Sequence, residues 1–158
     1  MPTEKNSAGR NWTLTPICGA GDAVVLDTNV VLDLFVFNDP AAQPLKDALL
    51  ARRLRWLATP AMRDELARVL AYPKIIPRLA SCQLSAAAVL AQFDQHVQSV
   101  GAAAKAAVTC ADPDDQKFID LAVAHQTTLL SKDKAVLCMT KRLAVIGVRA
   151  QRAIDFVA

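Results

Sequence analysis

The stretch Ala23-Val24-Val25-Leu26-Asp27-Thr28-Asn29-Val30 decides how the rest of the chain is read. Its first four residues are apolar on consecutive rather than alternate positions, and Val24 and Val25 are β-branched. That pattern suits a strand covered on both faces, as in a parallel sheet. The run stops at the carboxylate of Asp27. Asn29 then qualifies as the N-cap of a helix through Val30, Val31, Leu34 and Phe35, which Asn38-Asp39-Pro40 closes by turn chemistry.

Downstream, the same alternation continues. A second helix is expected over 43–53 and a short strand over Arg55-Trp56-Leu57-Ala58. Thr59-Pro60 reads as N-cap plus proline in the first helical position, with a helix to about Ala71. Tyr72-Pro73 ends it, a turn spans 74–79, and the alanine-rich stretch 85–97 has high helix propensity. The pattern beyond Gly101 is ambiguous. Asp112-Pro113 repeats the cap-plus-proline start, giving a helix to about Ala124 and then a strand over 127–130 that stops at Ser131-Lys132-Asp133. A short helix and strand finish the chain. Short apolar strands alternating with longer helices predict an α/β fold, a three-layer α/β/α sandwich with a central parallel sheet. Residues 23–158 are expected to form one domain, preceded by a mobile or extended lead-in over 1–22, which is polar and shows no sustained period.

Composition agrees with one domain. The 158 residues, 53% hydrophobic and 21% charged, suffice for one well-filled core and are too few for two ordinary domains. A disordered chain would be poorer in apolar residues, and no run approaches the roughly 18 apolar residues of a spanning helix. The opening MPTEKNSAGRNWTLTP lacks the basic start and apolar run of a secretory signal, so a cytoplasmic location is expected. The net charge of +3 permits contact with nucleic acid without arguing for binding alone. Cys18, Cys82, Cys110 and Cys138 contain no C-x-x-C pair, which excludes zinc-finger spacing; reduced, buried thiols are expected.

Open parallel sheets bind ligands beyond the carboxyl ends of their strands, where Asp27 and Asp133 fall. Each taken alone also reads as a turn or cap residue. Glu65 is more informative, because it lies within the apolar stripe Ala61, Met62, Leu66, Val69 and Leu70. A carboxylate there is costly unless it is protonated, bound to a cation or paired, with Arg63 as a candidate partner; a place at the stripe's edge is the other plain reading. Asp64, off the stripe, can pair with Arg68. Asp112 serves as N-cap and Asp114 as a first-turn acid, whereas Asp115 heads the face of Phe118, Ile119, Ala122 and Val123; Asp120 is assigned to solvent. Three or four acids at one sheet edge repel each other unless a hard cation with oxygen ligands, Mg²⁺ or Mn²⁺, is present. With no His or Cys at matching positions, two-metal phosphodiester hydrolysis fits best, the metals activating a water so that no nucleophilic side chain is required.

Four segments taken in order resemble the PIN-domain ribonucleases. They are Val25 to Val30, Thr59 to Leu66, Asp112 to Ala122 and Leu129 to Asp133, and the resemblance spans Ala23 to about Val157. In particular they resemble the VapC-like PIN toxins of bacterial type II toxin–antitoxin pairs. The resemblance implies a Mg²⁺- or Mn²⁺-dependent endoribonuclease whose catalytic and metal-holding acids are Asp27, Glu65, Asp115 and Asp133, with Asp114 as an auxiliary ligand. It implies that Thr28, Asn29 and Ser131 orient carboxylates or water. It also implies an RNA substrate, a cognate antitoxin covering the acidic site, and a homodimer on the early helices. Val31, Leu34, Phe35 and Phe37 are candidates for that dimer surface, although core packing explains them equally well. Lys117, Lys132 and Lys134 are candidates for RNA contact, followed by Arg52, Arg53, Arg55, Lys74 and Arg78. Lys132 departs from the small residue usual at its position, and Val136-Leu137-Cys138 departs from the usual acidic-hydrophobic sequence; neither removes a ligand.

Other classes fit less well. A haloacid-dehalogenase-type phosphatase needs an Asp where Asn29 stands, and a phospho-receiver gives no reason for Glu65. The non-enzymatic alternative is a catalytically inactive PIN-like RNA- or protein-binding module.

Overall fold

The computed structural model describes residues 23–155. Its strand β1 (Ala23–Leu26) is buried along its whole length, as four consecutive apolar residues require, and forms the middle of a five-stranded, all-parallel sheet. On one side lie β2 (Arg55–Ala58) and, at the edge, β3 (Val97–Ser99); on the other lie β4 (Thr128–Leu130) and β5 (Ala150–Gln151). Val24 is paired with both Trp56 and Thr128, and Leu26 with Leu130. Helices flank the sheet in a three-layer α/β/α sandwich. They are α1 (Thr28–Phe35), α2 (Gln43–Leu50), α3 (Pro60–Leu70), α4 (Ile76–Ser81), α5 (Ala86–His96), α6 (Gln116–His125), α7 (Lys134–Leu137) and α8 (Thr140–Val145). The chain moves outward from β1 to β3 and then returns to the opposite side of β1 for β4. The junction of β1 and β4 is therefore a topological switch point, the place where a parallel sheet opens a crevice beyond its carboxyl ends.

The core is a continuous layer of Trp56, Leu66, Leu70, Phe118, Ile119, Leu129 and Leu130, all essentially inaccessible. Each such aliphatic or aromatic side chain contributes about 1.5–3 kcal/mol by leaving water. Phe35 stacks on Trp56 at 5.9 Å between ring centroids, and Phe93 meets Trp56 edge-on at 5.1 Å. Val31, Leu34 and Phe35 belong to this core, and Phe37 packs against it beneath Arg78. The run considered as a dimer surface is thus spent inside one domain.

Several local expectations are corrected. Asp27, not Asn29, caps α1: its side chain accepts the Asn29 N–H, while Asn29 lies within the helix with its side chain exposed. Helix α2 stops at Leu50, because Arg52 takes a left-handed φ of 58° that breaks the helix. The stretch read as a turn over 74–79 overlaps α4, which runs from Ile76 to Ser81. Val97 begins a strand rather than ending a helix; β3 is mostly exposed and has no apolar period, so only its pairing with β2 defines it. A 3₁₀ turn over Pro113–Asp115 precedes α6, with Asp112 accepting the Asp114 N–H at 2.9 Å.

Asp120 does not face solvent freely. It accepts the Ala106 N–H at 2.9 Å and the Gln116 amide at 2.8 Å, tying the irregular segment after Gly101 to α6. Cys110 is buried, but Cys82 and Cys138 are exposed, since each follows a short helix at its C-cap. Cys18 and the expected lead-in over 1–22 lie outside the described residues. Among those described, no helix is long and apolar enough to cross a membrane.

Candidate active site

The switch point gathers side chains from strand ends that are distant in sequence. Asp27 follows β1, and its N–H donates to the Leu130 carbonyl at 3.0 Å, which extends the β1–β4 ladder by one residue. Ser131 follows β4 and is fully buried; its hydroxyl donates to Asp27 Oδ2 at 2.6 Å and accepts the Asp133 N–H at 3.0 Å. Asp133 in turn caps α7, its Oδ1 accepting the Ala135 N–H at 2.9 Å. One hydroxyl thus ties together the acids that follow two neighbouring strands. The 3₁₀ turn before α6 brings in Asp115. One carboxylate oxygen from each of Asp27, Asp115 and Asp133 lies within 4.8 Å of the others.

Glu65 stands beside this trio rather than in it. Met62, Leu66 and Leu70 are the buried stripe of α3, and Ala61 is exposed, which puts Glu65 on the stripe's edge with 17% of its side chain accessible. Its need for a partner is met by an ion pair with Lys117 of α6 and by the Thr28 hydroxyl, which donates to Oε2 at 2.5 Å. Arg63, the partner considered from sequence, forks instead onto Asp94 of α5 at 2.7 and 2.9 Å. Arg68 forms no ion pair among the described residues. Asp27, Thr28, Asn29, Glu65, Asp114 and Asp115 line a cleft of about 360 Å³, together with Arg68 and Val69 of α3 and Tyr72 just past its end. Asp114 is exposed and outside the close trio.

The basic residues divide. Lys117 is committed to Glu65 and to the Asp114 carbonyl, which accepts its Nζ proton at 2.6 Å. Lys132 pairs with Asp33 at 2.9 Å. Lys134 is exposed and unpaired among the described residues. Sequence reading passed over Asp33, although a single charge in the apolar run from Val30 to Phe37 was the signal available. It also passed over Tyr72, which it used only as a helix stop.

Electrostatics mark the trio as unfinished. Burial, above all, raises Asp115 from the usual 3.8 to about 8, helped by the approach of Asp133, with which it can share a proton, and by the charges of Asp27, Asp133 and Asp112. Asp27 is also raised, chiefly by burial and further by Asp133 and Glu65, although the Ser131 hydroxyl and the Asn29 N–H pull the other way. Asp115 Oδ2 is buried without any hydrogen-bond partner. An orphaned carboxylate oxygen among other carboxylate oxygens, with no nitrogen or sulfur donor in the group, fits a hard divalent cation.

Fold and site together define an α/β protein with a cluster of carboxylate oxygens at the switch point of its sheet that could hold a metal ion. The chain belongs to the PIN-domain family, whose profile matches residues 23–135, from β1 to just beyond Asp133. Neither a curated protein nor a solved structure matches the chain significantly. PIN domains are typically metal-dependent nucleases, and the acidic cluster described above could bind such a metal.

Proposed function

We propose that the chain is a Mg²⁺- or Mn²⁺-dependent endoribonuclease that hydrolyses RNA phosphodiester bonds, and that it is the VapC-like toxin of a type II toxin–antitoxin pair. The observation that carries the nuclease reading is the unpartnered Asp115 Oδ2, buried beside Asp27 and Asp133. In this reading Asp27, Asp115 and Asp133 hold the cation, with Glu65 as the fourth catalytic acid and Asp114 as an auxiliary at the rim. A divalent ion held by Asp27, Asp115 and Asp133 would supply Lewis acidity for a water and positive charge for the phosphate.

The chain's own groups do the rest. The Ser131 hydroxyl holds Asp27 and the backbone of Asp133 in fixed register, which is the role of outer hydrogen bonds around a metal ligand. Thr28 and Lys117 hold Glu65 to one position on the cleft wall. Asn29 serves Asp27 through its backbone N–H rather than its side chain. Lys134, exposed next to Asp133, offers a positive charge to an approaching RNA backbone.

Purified protein incubated with assorted RNAs and Mn²⁺ or Mg²⁺ is expected to cut them, with cutting lost in EDTA and in Asp27→Asn. RNA left intact with metal, or cut equally by the Asp27→Asn protein, sinks the nuclease reading. Because Glu65 is already engaged by Lys117, a non-cutting RNA- or protein-binding PIN module is the second reading, and RNA bound but intact in the same assay selects it. The toxin role rests on the family resemblance. Induced expression is expected to arrest bacterial growth, with relief by the product of a small neighbouring reading frame. Growth unaffected by the active enzyme removes that role while leaving the nuclease.

A further inference from the structure

Beyond Glu65 on α3, the residues at three, four and seven positions further on are Arg68, Val69 and Tyr72, and all four line the same cleft. Glu65, Arg68 and Val69 have the spacing of one helical face, and Tyr72 follows just past the helix end. Helix α3 ends at Leu70, yet Tyr72 is held in place: its N–H donates to the Val69 carbonyl at 3.0 Å, and its carbonyl accepts the Ile75 and Ile76 N–H groups at 2.9 and 3.1 Å. Its side chain nonetheless stays in the open, the residue being 46% exposed. Arg68 is exposed and unpaired among the described residues, even though carboxylates line the same cleft. An exposed aromatic ring on a hydrogen-bonded backbone and an unpaired guanidinium beside an acidic cluster match an unpaired base and its phosphate. Tyr72 lies two residues beyond the end of α3, seven positions after Glu65. Sharing the cleft with Asp27, Glu65 and Asp115, it suits a base flanking the cut. A duplex would keep its base faces stacked and out of reach.

We infer that Tyr72 and Arg68 form a positioning subsite for single-stranded RNA, with Tyr72 stacking on one unpaired base next to the scissile bond and Arg68 holding a phosphate of that strand. The identity of the scissile bond rests on the nuclease reading; the stacking can be measured without any cleavage.

The test is fluorescence anisotropy of the full chain with a labelled single-stranded RNA in Ca²⁺, the RNA checked on a gel as intact, using a set of oligonucleotides with one abasic position moved along the strand. The wild type is expected to lose about tenfold in affinity at one abasic position. Tyr72→Leu loses about the same on intact RNA and no longer senses that position, whereas Tyr72→Phe behaves as wild type. Arg68→Gln lowers the slope of log Kd against log salt by about 0.7. A merely structural role for Tyr72 would not move the abasic penalty. If Tyr72→Leu binds as wild type or keeps that penalty, if duplex RNA binds as tightly as single strands, or if the wild type binds no single strand, the subsite is overturned. A chain that shows the Tyr72-dependent penalty but cuts nothing in Mn²⁺ supports the subsite and refutes the nuclease.

Discussion

Asp94 and Asp115 are the same side chain in opposite circumstances. Asp94, on α5, is half-exposed and held by the fork of Arg63, which keeps its carboxyl below the usual range, mainly through that hydrogen bond. Asp115, at the sheet edge, is buried with an oxygen that has no partner, and its pKa is pushed up to about 8, mainly by burial. The helix-to-helix contact is a finished ion pair supplied entirely by the chain. Among the described residues no ion pair reaches the trio at the switch point, since Lys117 goes to Glu65 and Lys132 to Asp33. Fold stability asks for the first arrangement; a cation centre requires the second.

The sharpest way to break this contrast is to remove an acid from each region. Asp27→Asn is expected to lower kcat by about 10²–10³-fold in an RNA-cleavage assay with Mn²⁺. Asp94→Asn should leave kcat within about twofold. Equal losses would mean that the switch point has no special chemistry.

Next in size is the link between the two strand ends. Ser131→Ala removes the donor to Asp27 Oδ2 and the acceptor for the Asp133 N–H, and should weaken Mn²⁺ binding by about 10–100-fold in a calorimetric titration. Unchanged affinity would show that the acids orient themselves.

The two regions also respond to pH with opposite sign. An acid whose folded pKa lies above its unfolded value favours the fold fully at low pH, and that contribution is lost as pH rises through the folded pKa. In metal-free protein, Asp115→Asn should therefore raise Tm relative to wild type at pH 8, with the gap closing toward pH 4. Saturating Mn²⁺ at pH 8 should reverse the gap, because the wild type alone gains the full binding energy. Asp94, with its lowered pKa, stabilises above the ordinary carboxylate range and loses that contribution on acidification. A Tm gap for Asp115→Asn that grew on acidification would contradict the burial of an uncompensated acid. The smallest effect belongs to Arg63→Ala: a slight drop in Tm that disappears in high salt, as for other exposed ion pairs.

Local rules made much of the fold legible. Ala23 to Leu26 is apolar on every position because both faces of β1 are covered, and Thr59-Pro60 reads as a helix start because cap and proline chemistry need no distant partner. Val97-Gln98-Ser99 carries no such pattern, and its identity as a strand comes from backbone bonds to β2. The choice of Asp27 over Asn29 as cap was open on paper, since either oxygen suits the role and only the exact start of α1 decides. At the site, the sequence singled out four acids. It also led to Asp27, Asp115 and Asp133 meeting at one sheet edge, but not to Glu65 standing off with Thr28 and Lys117, because that distance is set by how α3 and α6 pack.

The sequence by itself determined the parallel α/β character, the strand ends that carry Asp27 and Asp133, and the capped starts of α3 and of the turn before α6. These depend on hydrophobic period and capping, which act within a few residues. Tertiary structure alone decided that Glu65 stands outside the close trio, which lysines are neutralised, and which oxygen is left bare. Burial and distance between groups up to about a hundred residues apart set those outcomes, as the Ser131–Asp27 hydrogen bond across 104 positions shows.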